Sequence, residues 1–299
     1  MLKNDSTLDK WMNGIAYEVA FWNNVYRWPH TFKGLMGWSG YNSCIRLEGF
    51  DANSFLVNTK GRKVLDVGCG MSYATGNYLA DGEIRIPLDI HYVDPLAHFF
   101  NNILSRYRRS LPVIEFGVME YLSAYYPNHD IDLVVIQNAL DHSANPIKGI
   151  LEAMETLNEK GVLYLNHHPN EAETERYKGF HQYNITEEAG ELIIWNEQNK
   201  WNISQLIKSF ADMQVFRHDN GHVIAIIRKT SNVPASLRNA KEYQMPLSQT
   251  RMESNIEHKK LSSDIHFRLN YWKYNILQFF VQALPWKIKM GVKKFIGQA

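Results

Sequence analysis

Lys63-Val-Leu-Asp66-Val-Gly68-Cys-Gly70-Met-Ser72 is the stretch that decides the fold. A short apolar run opening directly into two glycines reads as a buried strand that ends in a tight turn. Glycines there let backbone approach a ligand closely, and a helix is predicted over 72–79, with Ser72 available as its cap. The N-terminus of that helix would offer unpaired N–H groups to the same ligand. Outward from this point similar apolar runs recur at Ile90–Val93, Val113–Phe116, Ile131–Ile136 and Gly161–Leu165. Helical patterns lie between them at Leu96–Tyr107 and Ile147–Leu157. Strands alternating with helices at this spacing predict βαβ units and a mostly parallel sheet. Runs around Val215 and at His222–Ile227 are expected to close an antiparallel edge. The expected fold class is α/β, a doubly wound Rossmann-like sheet with helical N-terminal and C-terminal extensions.

The chain has 299 residues, 45% hydrophobic and 21% charged, which gives room for a real core and argues against a disordered or multi-span membrane protein. Two cysteines, Cys44 and Cys69, cannot build a disulfide framework. The N-terminal MLKNDSTLDKWMNG lacks an apolar run of the signal-peptide kind. Tyr274–Trp286, the longest uncharged stretch near the end, is about half a membrane span. A soluble, cytoplasmic protein is expected. The net charge of +1 hides a step: residues 1–230 carry −6 and residues 231–299 carry +7. With the aromatic-rich start, this suggests three parts: a helical segment over 1–58, a ligand-binding domain over 59–230 and a basic, aromatic extension over 231–299.

Two acids give the glycine turn its chemistry. Asp66 stands two residues ahead of Gly68, where a carboxylate suits an ammonium group better than a pyrophosphate. Asp94, at the end of the next strand, stands where a ribose diol lies in a doubly wound fold. The dinucleotide fingerprint wants a third glycine at position 73, which is Tyr73. The turn therefore leans away from a nicotinamide cofactor and toward a ligand that joins an amino acid to a nucleoside.

From Lys63 to Lys229 the chain resembles the class I SAM-dependent methyltransferase family. Leu65-Asp66-Val-Gly68-Cys-Gly70 matches the family's first motif and Asp94 its ribose-binding acid, followed by Pro95. Val118-Met119-Glu120 falls where the family usually carries Asp-Ala-Glu, so adenine contacts pass to Glu120 or to the backbone around Met119. Asp132-Leu-Val-Val-Ile-Gln-Asn138 is similar to the fourth strand and its cofactor-facing exit, and Leu157-Asn-Glu-Lys-Gly161 to the turn into the fifth. The resemblance implies S-adenosylmethionine (SAM) as cofactor, held by Asp66, Gly68, Gly70, Asp94, Pro95, Met119, Glu120 and Asn138. A narrower resemblance, through Phe21-Trp22, Asn138-Ala-Leu-Asp141-His142, His167-His168-Pro-Asn-Glu171 and Tyr177-Lys-Gly-Phe-His181-Gln-Tyr-Asn184, is to a bacterial subgroup associated with polysaccharide assembly. It implies O-methylation of a saccharide or lipid-linked glycan.

If the acceptor is an alcohol, its proton must leave during attack, and a base with a pKa near neutrality is best placed to take it. His142 beside Asp141 is one candidate base, with helix capping by Asp141 and Ser143 as the bland alternative. His167 and His168 follow the fifth strand; alternation predicts one facing the pocket, and His167 is preferred for it because it carries the narrower motif. A buried, hydrogen-bonded histidine explains either equally well. His168, Glu171, Tyr177, His181 and Asn184 form a polar, aromatic stretch suited to binding a sugar. Asp141, His142, His167 and Glu171 offer ligand types for a divalent metal, but no spacing signature supports one, so none is expected. Cys69 reads as a packing residue. Two readings outside this chemistry stay open: a SAM-binding scaffold without turnover, and methylation of a small molecule that is not a glycan.

Beyond Lys229 the pattern ends. Phe267-Arg-Leu-Asn-Tyr-Trp-Lys-Tyr and Trp286-Lys-Ile-Lys-Met-Gly-Val-Lys-Lys-Phe-Ile are aromatic and basic. An interfacial membrane helix at the inner face of the cytoplasmic membrane, packing on the body, and homodimerisation all fit. Nucleic acid is not expected as a partner, since the body is acidic and no reading motif appears.

Overall fold

The computed structural model describes residues 6–243 and 260–284. Among the described residues twelve strands form three sheets: β1 (Lys63–Val67), β2 (Tyr78–Asp81), β3 (Ile84–Pro87), β4 (Asp89–Asp94), β5 (Glu115–Phe116), β6 (Ile131–Gln137), β7 (Leu157–His167), β8 (Asn184–Glu188), β9 (Glu191–Trp195), β10 (Lys200–Asn202), β11 (Ala211–Arg217) and β12 (Val223–Lys229). The central seven-stranded sheet runs β11-β12-β7-β6-β1-β4-β5. Its β5, β4, β1, β6 and β7 are parallel, while β12 and β11 close the edge antiparallel, as the sequence predicts. The fold is a doubly wound, Rossmann-like α/β sheet.

The helices are α1 (Ser6–Arg27), α2 (Pro29–Trp38), α3 (Ala52–Val57), α4 (Ala97–Arg106), α5 (Leu122–Tyr125), α6 (Pro146–Thr156), α7 (Glu171–Thr174), α8 (Ile203–Ile207), α9 (Ala235–Arg238) and α10 (Ile265–Ala283). The strands alternate cleanly between two packed faces. Leu65, Val67, Val134, Ile136, Leu163 and Leu165 meet α6, α8 and the small β10-β9-β8 sheet. Val64, Leu133, Val135, Val162 and Tyr164 meet α3, the 45–50 segment and β2. Both faces being covered is why β6 reads as an unbroken apolar run. Each such Val, Leu or Ile contributes roughly 1.5–3 kcal/mol on burial, enough in sum to fix the strand register.

The predicted helix over 72–79 does not form. Residues 71–77 are a loop, and the β2–β3 hairpin follows. Tyr73 sits at φ +50°, and a Cβ on Gly76 would lie 2.4 Å from the Cys44 carbonyl, so this backbone is threaded against another strand of chain rather than coiled on itself. Tyr26 Oη donates to the Met71 carbonyl (2.7 Å) and Ser39 Oγ to that of Tyr73 (3.0 Å). The N-terminal helices thus cover ground that a crossover helix was expected to take. The turn expected at 158–161 persists as a bulge within β7: Ile131 pairs with Leu157 and Leu133 with Val162, so 158–161 leave the ladder, with Lys160 at φ +71°. The β8–β10 sheet was not foreseen.

Of the extension over 231–299, α10 lies along α1. Asn23 Nδ2 donates to Asn275 Oδ1 (2.8 Å), Asn24 Nδ2 donates to the same oxygen (2.9 Å), and Trp28 packs on Phe279. The basic stretch 286–296 lies outside the described residues.

Candidate functional site

The carboxyl ends of β1, β4, β6 and β7 open into a cavity of about 700 Å³. At one end Gly68 (φ +67°) and Gly70 (φ +54°) line the wall. A Cβ on Gly68 would lie 2.4 Å from the Ala139 Cβ, and one on Gly70 would lie 3.0 Å from the Trp22 ring. No side chain fits at Gly68 without moving β6's exit. Asp94 lies beside them. Its Oδ2 accepts from Gly70 N–H (3.0 Å) and its Oδ1 from Leu96 N–H (2.8 Å), which fixes the carboxylate at the cavity wall. Burial pushes its carboxyl up to about 7 against the pull of those two N–H groups. Asp66 is buried just beneath and is likewise pushed up by burial to about 7, with hydrogen bonds from Thr75 opposing. Its Oδ2 has no hydrogen-bond partner. Two desolvated carboxylates, one with an unpartnered oxygen, suit a positively charged ligand.

These residues fit SAM. Asp94 stands on the wall, close backbone approach is possible only at glycine, and Asp66, which does not itself line the cavity, carries an orphaned buried oxygen two residues before Gly68. Pro95, Met119 and Asn138 also line the cavity. Asn138 holds φ +47°, donates its N–H to the Asn166 carbonyl (2.9 Å) and accepts His168 N–H on Oδ1 (2.9 Å), locking the exits of β6 and β7 together. Glu120 lines the cavity as well and has a second task. Its Oε1 accepts from Ala144 N–H (2.8 Å) and Asn145 N–H (2.9 Å), so this oxygen stabilises the entry to α6. The wall formed by Gly117, Val118 and Met119 is what remains for an adenine ring.

The opposite end is built on Asp141, which is 3% exposed. Its Oδ2 accepts from His181 Nδ1 at 2.8 Å and stands 3.5 Å from His142 Nε2. The two rings meet edge to face at 4.5 Å, and Phe180 backs His142. Burial would raise the Asp141 carboxyl, but the charges of His142 and His181 and the hydrogen bond outweigh it and hold it below the usual carboxylate range. Burial lowers His142 despite Asp141. Burial also opposes protonation of His181, yet the bond to Asp141 and its charge, with Glu171 and Glu175, raise it to about 9. At neutral pH the cluster is therefore an aspartate–imidazolium pair beside a neutral imidazole. The ligand-type atoms of Asp141, His142 and His181 lie within 4.8 Å of one another, a spacing for which the 2.8 Å hydrogen bond already accounts.

Three expectations are corrected. The order at the end of β7 is reversed: His168 lines the cavity, whereas His167 is 1% exposed. Burial drives His167 down to about 4 and both its ring nitrogens lack partners, so it is a neutral core residue. The alternation argument was sound, but sequence does not say which parity faces in. Tyr177 and Asn184 do not line the cavity. Asn184 Nδ2 donates to Tyr177 Oη (2.9 Å) and its Oδ1 accepts Glu173 N–H (3.0 Å), so they tie the 171–184 segment to itself. Glu171 and His181 from that segment do reach the cavity.

Sequence reading missed several walls: Glu18 and Trp22 of α1, Trp38, Arg46, Glu48 and His222. Trp22 Nε1 donates to Glu18 Oε1 (2.7 Å), and the i, i+4 spacing was the one local signal for that pair. Nothing local marks His222, whose ring stacks edge-on with His168 at 4.1 Å.

Comparison with known proteins agrees with this geometry. Residues 65–165 match a family described as a methyltransferase domain. A tRNA U34 carboxymethyltransferase of Hydrogenovibrio crunogenus is 34% identical over 116 residues, covering 37% of this chain and 33% of that protein. The chain thus spans about a third of the length of the curated relative it matches. Among solved structures, a T. thermophilus 16S rRNA N2 G1207 methyltransferase in complex with AdoMet and guanosine is 14% identical (64% of this chain, 42% of that one, TM-score 0.35). A SAM-dependent methyltransferase from Clostridium acetobutylicum is 10% identical (60% of this chain, 91% of that one, TM-score 0.37). Over residues 65–165 the chain is similar to a methyltransferase domain, and S-adenosylmethionine is the cofactor which that similarity implies.

Proposed function

We propose that this protein transfers a methyl group from SAM to a hydroxyl of a saccharide-type acceptor, with His142 as the base. The observation that carries the reading is the shared cavity: the glycine–carboxylate crevice at one end and the Asp141-held histidine pair at the other line a single space. When bound, SAM supplies an electrophilic methyl group on a sulfonium, so the protein's task is alignment, desolvation and removal of the acceptor's proton. Asp66 and Asp94 hold the cationic and ribose ends, and Gly68 and Gly70 admit the ligand to the backbone. Neutral His142 takes the hydroxyl proton; the Asp141 charge favours the imidazolium that forms, and the His181 charge opposes it.

The walls favour a neutral, polar acceptor. Arg46 is the one Lys or Arg on the cavity lining among the described residues, against Glu18, Glu48, Asp94, Glu120 and Glu171. A phosphate backbone would meet more carboxylate than cation there. Trp38, 61% exposed at the wall, offers a flat face for a sugar ring. A tRNA uridine is the second reading, favoured by the similarity to the U34 enzyme. Incubation with methyl-labelled SAM separates them: label in a surface-glycan precursor supports the first, label in bulk tRNA the second. SAM binding with no transfer to either would leave a scaffold role.

A further inference from the structure

We infer that the exposed face of α10 docks on an anionic membrane surface. One side of this helix is covered: Asn275 bonds Asn23 and Asn24 of α1, Phe267 packs on Phe99 of α4, the Gln282 carbonyl meets His30 of α2, and Gln278 and Val281 are buried. The opposite side presents Ile265 (58% exposed), Leu269 (59%), Trp272 (66%), Ile276 (39%) and Phe280 (63%). At about 100° per residue these five fall within an arc of about 80°. Arg268 lies just outside one edge of the arc and Lys273 just outside the other, both exposed. An apolar stripe bordered by cations on both sides is the pattern of a helix that lies in the headgroup plane.

Charge selects the occupant. Residues 265–299 hold six Lys and Arg (268, 273, 287, 289, 293 and 294) and no Asp or Glu. A second copy seated stripe to stripe would bring Arg268 and Lys273 against their own copies with no acid on either helix to pair them, at a cost. An anionic lipid surface would pair both. Among the described residues no helix is long and apolar enough to cross a membrane, so contact would be confined to one leaflet. The inference stands apart from the acceptor reading but bears on it. α1 carries Glu18, Phe21 and Trp22 on the cavity and Asn23 and Asn24 on α10, so a single helix separates the docking element from the site.

Co-sedimentation of the full chain with vesicles of phosphatidylcholine alone, and with equal parts of phosphatidylglycerol, tests this. Trp272→Ser/Phe280→Ser serves as the variant, and SAM affinity and light-scattering mass are measured in parallel. About tenfold more protein should sediment with the anionic vesicles, and the double variant should lose that excess while binding SAM normally. Equal sedimentation with both vesicles, or full binding by a variant that still binds SAM, overturns the inference. So does a dimer that the double variant abolishes without any lipid binding. Loss of methyl transfer to every acceptor with lipid binding intact would count against the proposed function and leave this surface standing.

Discussion

The two ends of the cavity are assembled in different ways. The cofactor end draws on adjacent strand tips, Asp66 to Gly70 and Asp94, and relies on backbone and carboxylates. The histidine end gathers Asp141 and His142 after β6, His168 after β7, His181 from a loop about forty residues on, and His222 at the start of the antiparallel edge. The first is a local device, built from one strand–turn and the tip of the neighbouring strand. The second is a long-range meeting, and so it is where acceptor choice can vary without disturbing the cofactor.

That contrast can be broken experimentally, and the largest expected effect lies at the histidine end. His142→Ala should lower turnover roughly 10²- to 10⁴-fold, the usual worth of a general base, while SAM affinity by calorimetry stays put. Near-wild-type turnover would take His142 out of the mechanism. Asp94→Asn comes next: it loses charge-assisted hydrogen bonds to Gly70 and to the ligand, and SAM should bind about 100-fold more weakly. An unchanged dissociation constant would mean that the cofactor lies elsewhere.

A third measurement sharpens the division through pH. Asp66 and Asp94 are raised from 3.8 to about 7, so the folded protein binds protons more tightly than the unfolded one. Their contribution to stability is complete below the ordinary carboxylate range and is lost as pH rises through about 7. The melting temperature of the ligand-free protein should therefore fall over that window. SAM, which favours the ionised form, should bind more weakly as pH drops, by up to about tenfold per unit below 7. A flat profile for both would contradict the picture of two uncompensated carboxylates. The smallest effect is expected at Tyr177→Phe, which removes the bond to Asn184: about 1 kcal/mol of stability by denaturant titration and less than about a twofold change in KM. A large KM change would return Tyr177 to the acceptor site.

Legibility followed the same divide. The sheet, its order of elements and the glycine–aspartate crevice could be read because period-2 runs and a turn are encoded within a few residues of one another. His142 was found through its strand-exit position, but the choice between His167 and His168 depended on which face of β7 the chain would bury, and that is set by packing of α6 on Leu163 and Leu165. The missing 72–79 helix failed for a related reason. Its sequence permits a helix, and only contact with Cys44 and Gly40, far away in the chain, denies it. Trp38 and His222 left no trace, since nothing near them differs from an ordinary surface.

That threaded segment has a practical consequence. A Cβ on Gly40 would lie 2.2 Å from the Ala74 carbonyl, and Asn42 N–H donates to Asn77 Oδ1 at 2.7 Å, so residues before 58 are stitched into the loop that carries the first glycine turn. Trimming the protein to its catalytic-looking middle for expression would cut those stitches and strip Trp22 from above Gly70. Such a fragment should come out of the cell insoluble, and the shortest useful version has to keep both the first helix and the 42–53 segment that braces the hairpin.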